Sequence, residues 1–197
     1  MPENNVVSLI VAGGQSRRMG QDKALLIVDG VPLLQRTVAI TSQLSKVVWV
    51  STPWRKEYEY LFSEQVQWVD DSLQQGGLVA LAEFLTVKPI DEWILLLACD
   101  LPYLKLEQLQ KWKQQLTQIP ESCDVALVKN AAGFYEPLCG FYRGTVANSL
   151  EKYRKEGERS FQKWLATEMV FELVLDDLTM LFNCNTPEDF ATLKAQF

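Results

Sequence analysis

The run Trp93 to Cys99 limits the fold more than any other stretch of the chain. It reads Trp-Ile-Leu-Leu-Leu-Ala-Cys, apolar at every position. A strand with one wet face alternates apolar and polar residues, so an unbroken run suits a central strand covered on both faces. Val6 to Val11, Val-Val-Ser-Leu-Ile-Val, is a second short, β-branched run without helical period, and it also reads as a buried strand. Shorter strand signals follow at Val47 to Val50, Val66 to Val69, Val125 to Val128, Leu138 to Tyr142 and Met169 to Leu175.

Helical patterns fall between these runs. Pro32 suits a first helical residue, with Leu33, Leu34, Val38 and Leu44 at near-helical spacing after it. Arg55 to Phe62, Gly76-Gly77 through about Leu85, Leu104 to Leu116, Thr145 to Lys155 and Phe161 to Glu168 complete the set, and Thr186-Pro187-Glu188-Asp189 is a well-formed helix start. Asp29-Gly30 and Ala132-Gly133 mark turns. Strands alternating with helices imply a three-layer α/β/α, Rossmann-like fold with a mostly parallel mixed sheet. The 197 residues, 48% of them apolar, are expected to form one domain, since no Pro- or Gly-rich linker divides them.

Composition excludes several chemistries. There is no histidine, so Ser-His and Cys-His catalysis are out, and carboxylates, lysine or a metal must carry any reaction. Cys99, Cys123, Cys139 and Cys184 are too widely spaced for a zinc site and read as reduced core thiols. A net charge of −6 argues against general affinity for nucleic acid. No run of about 18 apolar residues and no basic, apolar leader is present, which points to a cytoplasmic protein without membrane contact. Trp54, Trp68 and Trp112 read as packing residues.

The first strand runs into Ala12-Gly13-Gly14, where bare backbone N–H groups can approach a ligand, and Arg17, Arg18 and Lys23 follow closely. Such a loop suits phosphate. It is not a P-loop, because Gly14 and Gly20 are wrongly spaced and Gly20 leads into Gln21-Asp22-Lys23; nor is it a dinucleotide fingerprint, because its first two glycines are adjacent. Ligands of parallel α/β sheets sit at the carboxyl ends of strands. The Gly-Gly loop, Asp71 and Asp100 all fall at such ends, so three distant segments are expected to share one cleft. Asp100 is placed to hold a hard cation over a phosphate, the alternative being a helix cap; Asp71 could instead close an Asx turn.

Val-Ala-Gly-Gly-Gln-Ser-Arg-Arg-Met-Gly-Gln-Asp-Lys resembles the Leu-Ala-Gly-Gly-x-Ser-x-Arg-Met-Gly-x-Asp-Lys signature of molybdenum cofactor guanylyltransferases, within the wider nucleotidyltransferase family, and Cys99-Asp100-Leu101-Pro102 resembles that family's Cys-Asp-x-Pro motif. The resemblance implies a nucleotidyltransferase fold and GMP transfer from GTP to molybdopterin or molybdenum cofactor, with pyrophosphate as leaving group. It implies Lys23 and Arg18 as catalytic residues. Val11, Ala12, Gly13, Gly14, Lys23, Ser51, Asp71 and Asp100 would bind the nucleotide, and Asp100 would ligate Mg2+. Arg159, Asn183 and Asn185, the last two in a segment similar to the family's Asn-x-Asn-Thr-Pro, would face the acceptor. Transient contact with cofactor-delivering proteins is a further implication. The family's Gly-Gly in place of the cytidylyl relatives' Ala-Gly implies GTP over CTP, on the argument that a Cβ at position 13 could crowd a purine.

Two positions depart from the pattern. Ser51 stands where family members can place a base-contacting Asn, and Gly76-Gly77-Leu78-Val79-Ala80 replaces a Gly-Pro-Leu-x-Gly segment. A transferase using another phosphorylated acceptor such as a sugar phosphate, or CTP, and a non-catalytic nucleotide-binding regulator are the competing readings.

Overall fold

The computed structural model describes residues 5–13, 22–62, 66–71 and 73–194. In chain order its strands are β1 (Val6–Val11), β2 (Ile27–Val28), β3 (Val31–Pro32), β4 (Val47–Ser51), β5 (Val66–Val69), β6 (Trp93–Ala98), β7 (Val125–Lys129), β8 (Tyr135–Arg143) and β9 (Val170–Glu172). The helices are α1 (Leu33–Thr41), α2 (Arg55–Tyr58), α3 (Gly77–Val87), α4 (Leu106–Gln115), α5 (Ala147–Lys155), α6 (Phe161–Leu165) and α7 (Pro187–Lys194).

Seven strands form one sheet in the order β5-β4-β1-β6-β8-β7-β9. The strands β5, β4, β1 and β6 run parallel, β8 lies antiparallel between β6 and β7, and β9 returns parallel to β7. The antiparallel strand follows from its connection. Asn130 to Phe134 is a short turn, closed by Asn130 N–H on Phe134 O at 2.9 Å, with Gly133 at φ +81°, and leaves no length for a crossover.

Side chains of β1 alternate between two cores, as the period of a strand requires. Val6 and Ile10 face the side covered by Leu34 and Val38 of α1 and Leu109 and Trp112 of α4. Val7 and Leu9 face Leu78, Leu81 and Phe84 of α3, with Leu150 of α5 and Trp164 of α6 beyond. The continuously apolar β6 is buried at every position, which explains its sequence. Trp112 is fully buried and satisfies its ring N–H on Val174 O at 2.8 Å, while Trp54 and Trp68 pack at the margin of the α1 core. All four cysteines are buried and unpaired.

Several expected boundaries move. Pro32 ends β3 and precedes α1 instead of starting it, because Asp29 and Gly30, at φ +52° and +76°, make a tight turn that pairs Ile27 with Pro32. The helix expected over Arg55 to Phe62 is α-helical only to Tyr58 and then tightens into a 3₁₀ turn; no side chain caps its start. The helix at Leu104 begins at Leu106, and the strand at Met169 to Leu175 shrinks to Val170–Glu172.

The order of connections fixes where a ligand can sit. From β1 the chain steps outward to β4 and β5, then returns across the sheet to β6 on the other flank of β1. A crevice therefore opens between the carboxyl ends of β1 and β6, where neighbouring connections leave in opposite directions.

Candidate active site

A cleft of about 620 Å³ occupies that crevice. Val11, Ala12 and Gly13 line it from the end of β1, Ala98, Cys99 and Asp100 from the end of β6, and Asp71 from the end of β5, so the three segments converge as the strand ends dictate. Backbone bonds fix this rim: Cys99 N–H reaches Val11 O at 3.2 Å, Ala12 N–H reaches Ser51 O at 2.9 Å, and Asp71 N–H reaches Thr52 O at 3.4 Å. Thr52 ties the set together, donating its hydroxyl to Ala12 O at 2.9 Å.

Gly13 is constrained by Asp71. A Cβ at position 13 would overlap Asp71 Oδ2, so the space beside this glycine, expected to be kept for a purine, is first of all the space of a carboxylate. Asp71 is only 2% exposed, and burial pushes its carboxyl above the usual carboxylate range, offset by the hydrogen bond it accepts from Gln74 N–H at 3.1 Å. That bond makes the Asx-type turn, with Gln74 at φ +49° and Gly76 at φ +95°. The loop lacking the family proline is thus shaped by one buried side chain and two left-handed residues.

The opposite wall carries the charge. Lys23 Nζ donates to Asp100 Oδ2 at 3.0 Å and also to Asn185 Oδ1. Both members of the ion pair are mostly enclosed, at 20% and 14% side-chain exposure. Lys23 opens a short 3₁₀ turn to Leu25 that Asp22 caps, accepting Ala24 N–H on Oδ1 at 3.0 Å, while Asp22 Oδ2 accepts the Tyr58 hydroxyl at 2.6 Å. Burial, then the Asp22 carboxylate, raises the Tyr58 phenol far above its ordinary value, so it stays a donor. Burial likewise pushes the Cys99 thiol well up, which removes it as a nucleophile.

Asp100 does not cap a helix, since α4 starts only at Leu106. Its Oδ2 already holds a cation, the Lys23 ammonium, and no group of three or more His, Cys, Asp or Glu side chains gathers around it among the described residues. One hard carboxylate beside room for phosphate fits magnesium, which takes one or two protein carboxylates and completes its shell with water and substrate oxygens.

The other expected residues are distributed unevenly. Asn185 faces Lys23, held by a reciprocal cap: Thr186 Oγ1 accepts Asp189 N–H at 3.1 Å, and Asp189 Oδ2 accepts Thr186 N–H at 2.8 Å and Asn185 N–H at 2.9 Å. Asn183 donates to Leu181 O at 3.2 Å. Ser51 is 1% exposed, and among the described residues its hydroxyl has no hydrogen-bond partner and it is not part of the cleft lining. Arg159 is exposed in the connection between α5 and α6, away from the lining. Gly14 and Arg18 lie outside the described residues. Thr52, Asp22, Tyr58 and Gln74 were not expected; Asp22 could have been found as the cap immediately before Lys23, whereas nothing near Tyr58 in the chain signals its role.

A mixed sheet whose switch point gathers a bare-backbone turn, a lysine and a cation-holding aspartate defines a nucleotide-handling α/β enzyme. The chain matches the MobA-like NTP transferase domain over residues 8–170 and belongs to that family of nucleotidyltransferases. A probable molybdenum cofactor guanylyltransferase of Trichormus variabilis is 46% identical over 195 residues, covering 98% of this chain and 93% of its own. A probable molybdenum cofactor guanylyltransferase of Synechococcus elongatus is 47% identical over 193 residues, covering 96% and 98%. The molybdopterin-guanine dinucleotide biosynthesis protein A of Archaeoglobus fulgidus has the same fold, with a TM-score of 0.78 at 22% identity over 96% of this chain and 97% of that one. No helix among the described residues is long and apolar enough to cross a membrane.

Proposed function

We propose that the protein transfers GMP from GTP to molybdopterin or molybdenum cofactor, forming the guanine dinucleotide cofactor and pyrophosphate. The observation that carries this reading is the meeting of Lys23 and Asp100, which lie 77 positions apart in the chain, on one cleft beside the Gly13 turn.

In this reading the triphosphate lies along the turn of Val11, Ala12, Gly13 and Gly14, with the N–H groups of Gly13 and Gly14 turned to anionic oxygen, since the Ala12 N–H is already held by Ser51 O. Asp100 holds Mg2+, which when bound neutralises phosphate charge and favours attack at phosphorus. A terminal phosphate oxygen of the acceptor attacks the α-phosphorus in line; the new P–O bond forms as the bond from the α-phosphorus to the bridging oxygen breaks, and that oxygen leaves with pyrophosphate. Lys23, with Arg18, offsets the charge gathering on the leaving group, and no covalent enzyme intermediate is needed. Asp71 and Gly13 shape the nucleoside side, so GTP is preferred to CTP; equal turnover of the two would remove that preference. Ser51, buried beside the rim, acts there only if its unpartnered hydroxyl turns toward the base. Asn185 sits where acceptor and nucleotide meet, whereas Asn183 and Arg159 are assigned a lesser acceptor role. One domain carries both substrates, the protein works in the cytoplasm, and proteins that deliver cofactor dock only transiently.

Pyrophosphate release measured with GTP, magnesium and molybdopterin tests the reading. Wild type should release it and Asp100→Ala should not. Nucleotide binding without release in wild type would favour a regulator, and release only with a sugar phosphate would favour a different acceptor.

A further inference from the structure

Beside the nucleotide cleft lies a second one, of about 530 Å³, and nothing above uses it. Its walls are largely apolar: Tyr103 and Phe182 lie with ring centroids 5.7 Å apart, tilted by 57°, and Leu181 adds to the same wall. Polar side chains also line it, Thr179 and Thr192 among them, and Asn130 and Glu136 come from the turn and start of β8. They are not loosely placed. Asn130 Oδ1 accepts Ala132 N–H at 3.0 Å and Phe134 N–H at 3.1 Å, which orients its amide so that Nδ2 donates to Glu136 Oε1 at 2.7 Å. The carboxylate is thereby held in one direction, and Oε2 takes no hydrogen bond among the described residues.

Two chain segments link this cleft to the first. Tyr103 lies three residues after Asp100, and Phe182 three residues before Asn185, whose side chain accepts from Lys23. Cys184 N–H bonds Asp100 O at 3.3 Å and locks the two segments side by side. Three residues span about 10 Å, so a ligand of drug-like length can reach both clefts. The charges differ in a useful way: Lys23 marks one end, and a fixed carboxylate among aromatic rings marks the other. Such an end repels phosphate and suits a flat heterocycle with adjacent N–H donors, stacked on the rings and paired with the acid.

We propose that this second cleft seats the pterin ring of the acceptor, with Glu136 accepting from its 2-amino group and N3–H, so that the acceptor's phosphate points back toward Lys23. The proposal rests on transfer to molybdopterin as read above. Glu136 is then the residue that recognises the acceptor's base, a task distinct from holding nucleotide.

The test uses 6-hydroxymethylpterin and its 2,4-dioxo counterpart, 6-hydroxymethyllumazine, as probes, with binding followed by their fluorescence. A carboxylate matches the two adjacent donors of the pterin; an amide offers one acceptor and one donor, which matches the N3–H and 2-oxo group of the lumazine. Wild type should prefer the pterin at least tenfold, and Glu136→Gln, whose amide oxygen can still accept from Asn130, should reverse the preference while leaving GTP affinity and the melting temperature unchanged. Equal affinity of wild type for both probes, no pterin binding, or an unmoved ratio in Glu136→Gln overturns the subsite. The two readings fail separately. Turnover of molybdopterin with wild-type KM in Glu136→Gln removes the subsite and leaves transfer standing, whereas a reversed ratio without any pyrophosphate release leaves the pterin site and removes the transfer.

Discussion

The parallel half of the sheet, β5-β4-β1-β6, and the half around antiparallel β8 build their sites by different means. In the first, the working positions are the residues that directly follow a strand: Ala12 and Gly13 after β1, Asp71 after β5, Cys99 and Asp100 after β6. Neighbouring strands hold them through backbone bonds, so the secondary structure itself sets the geometry. In the second, Asn130, Phe182 and Asn185 sit on turns and connections and Glu136 at the start of β8, and side-chain bonds hold Asn130, Glu136 and Asn185. A site on strand ends needs particular residue types at short fixed spacing, which leaves a motif; a site assembled from connections tolerates many spacings and leaves little trace.

The largest expected effect tests whether the two halves are coupled at Lys23. Lys23→Ala should lower kcat by about 10²- to 10³-fold, the usual cost of removing one donor from developing charge. Asn185→Ala, on the other half, should cost less. Because both touch the same ammonium, the double variant should depart from additivity by about 0.5–3 kcal/mol. Strict additivity in pyrophosphate-release kinetics would mean that the halves act independently and that the Lys23 to Asn185 contact does not serve the reaction.

Gly13→Ala probes the rigidity of the parallel half. The added methyl meets Asp71 Oδ2, so either the carboxylate or the turn must move, at a cost of about 1–3 kcal/mol typical of overpacking. Expected are a lower denaturation midpoint and a raised KM for GTP, with acceptor KM unchanged. An unaltered midpoint would show that the Asp71 turn yields easily and that the glycine is needed only by the nucleotide.

These contrasts also explain what the chain disclosed before folding. The sheet was legible because β6 is apolar without a break and β1 is so but for Ser8, and the cleft because Gly13, Lys23 and Asp100 stand in short motifs. Gly13 was read as a position where a Cβ could crowd a purine; the first atom such a Cβ would meet is Asp71 Oδ2, which arrives from 58 residues away. Ser51 was read as a stand-in for the family's base-contacting Asn; it is 1% exposed and is not among the described residues that line the cleft. Tyr58 and the Asn130 to Glu136 pair could not be found locally, because each owes its role to a partner brought by the tertiary fold.

Tyr58→Phe sharpens that last point at modest cost. It removes the hydroxyl donated to Asp22, a charge-assisted bond in a buried setting, while leaving the ring packing intact. A loss of about 1.5–3 kcal/mol in stability is expected, with a several-fold fall in kcat as the turn carrying Lys23 loosens. If urea denaturation moves but kcat does not, Tyr58 supports the core and not the placement of Lys23.

The smallest effect separates the halves by pH. In the antiparallel half Asp177 is held at about 2, first by the Lys105 ammonium and then by the hydroxyl and N–H of Thr179, and Asp189 is held low mainly by Asn185 N–H. A carboxyl depressed in the folded state contributes stability that is complete above its ordinary pKa near 3.8 and is lost as pH falls through the folded value. Asp71, in the parallel half, runs the other way: burial raises it, so its penalty is present when ionised and disappears as acid protonates it. Acidification from about pH 5 toward pH 2 should therefore loosen the connections around Asp177 and Asp189 before the rim at Asp71, and amide hydrogen exchange should rise first near Thr179 and Thr186. Asp177→Asn should flatten part of the fall in melting temperature over that range while leaving neutral-pH activity in place; an unchanged slope would mean that the exposed Lys105 to Asp177 pair is fully screened by solvent and that acid acts on the two halves alike.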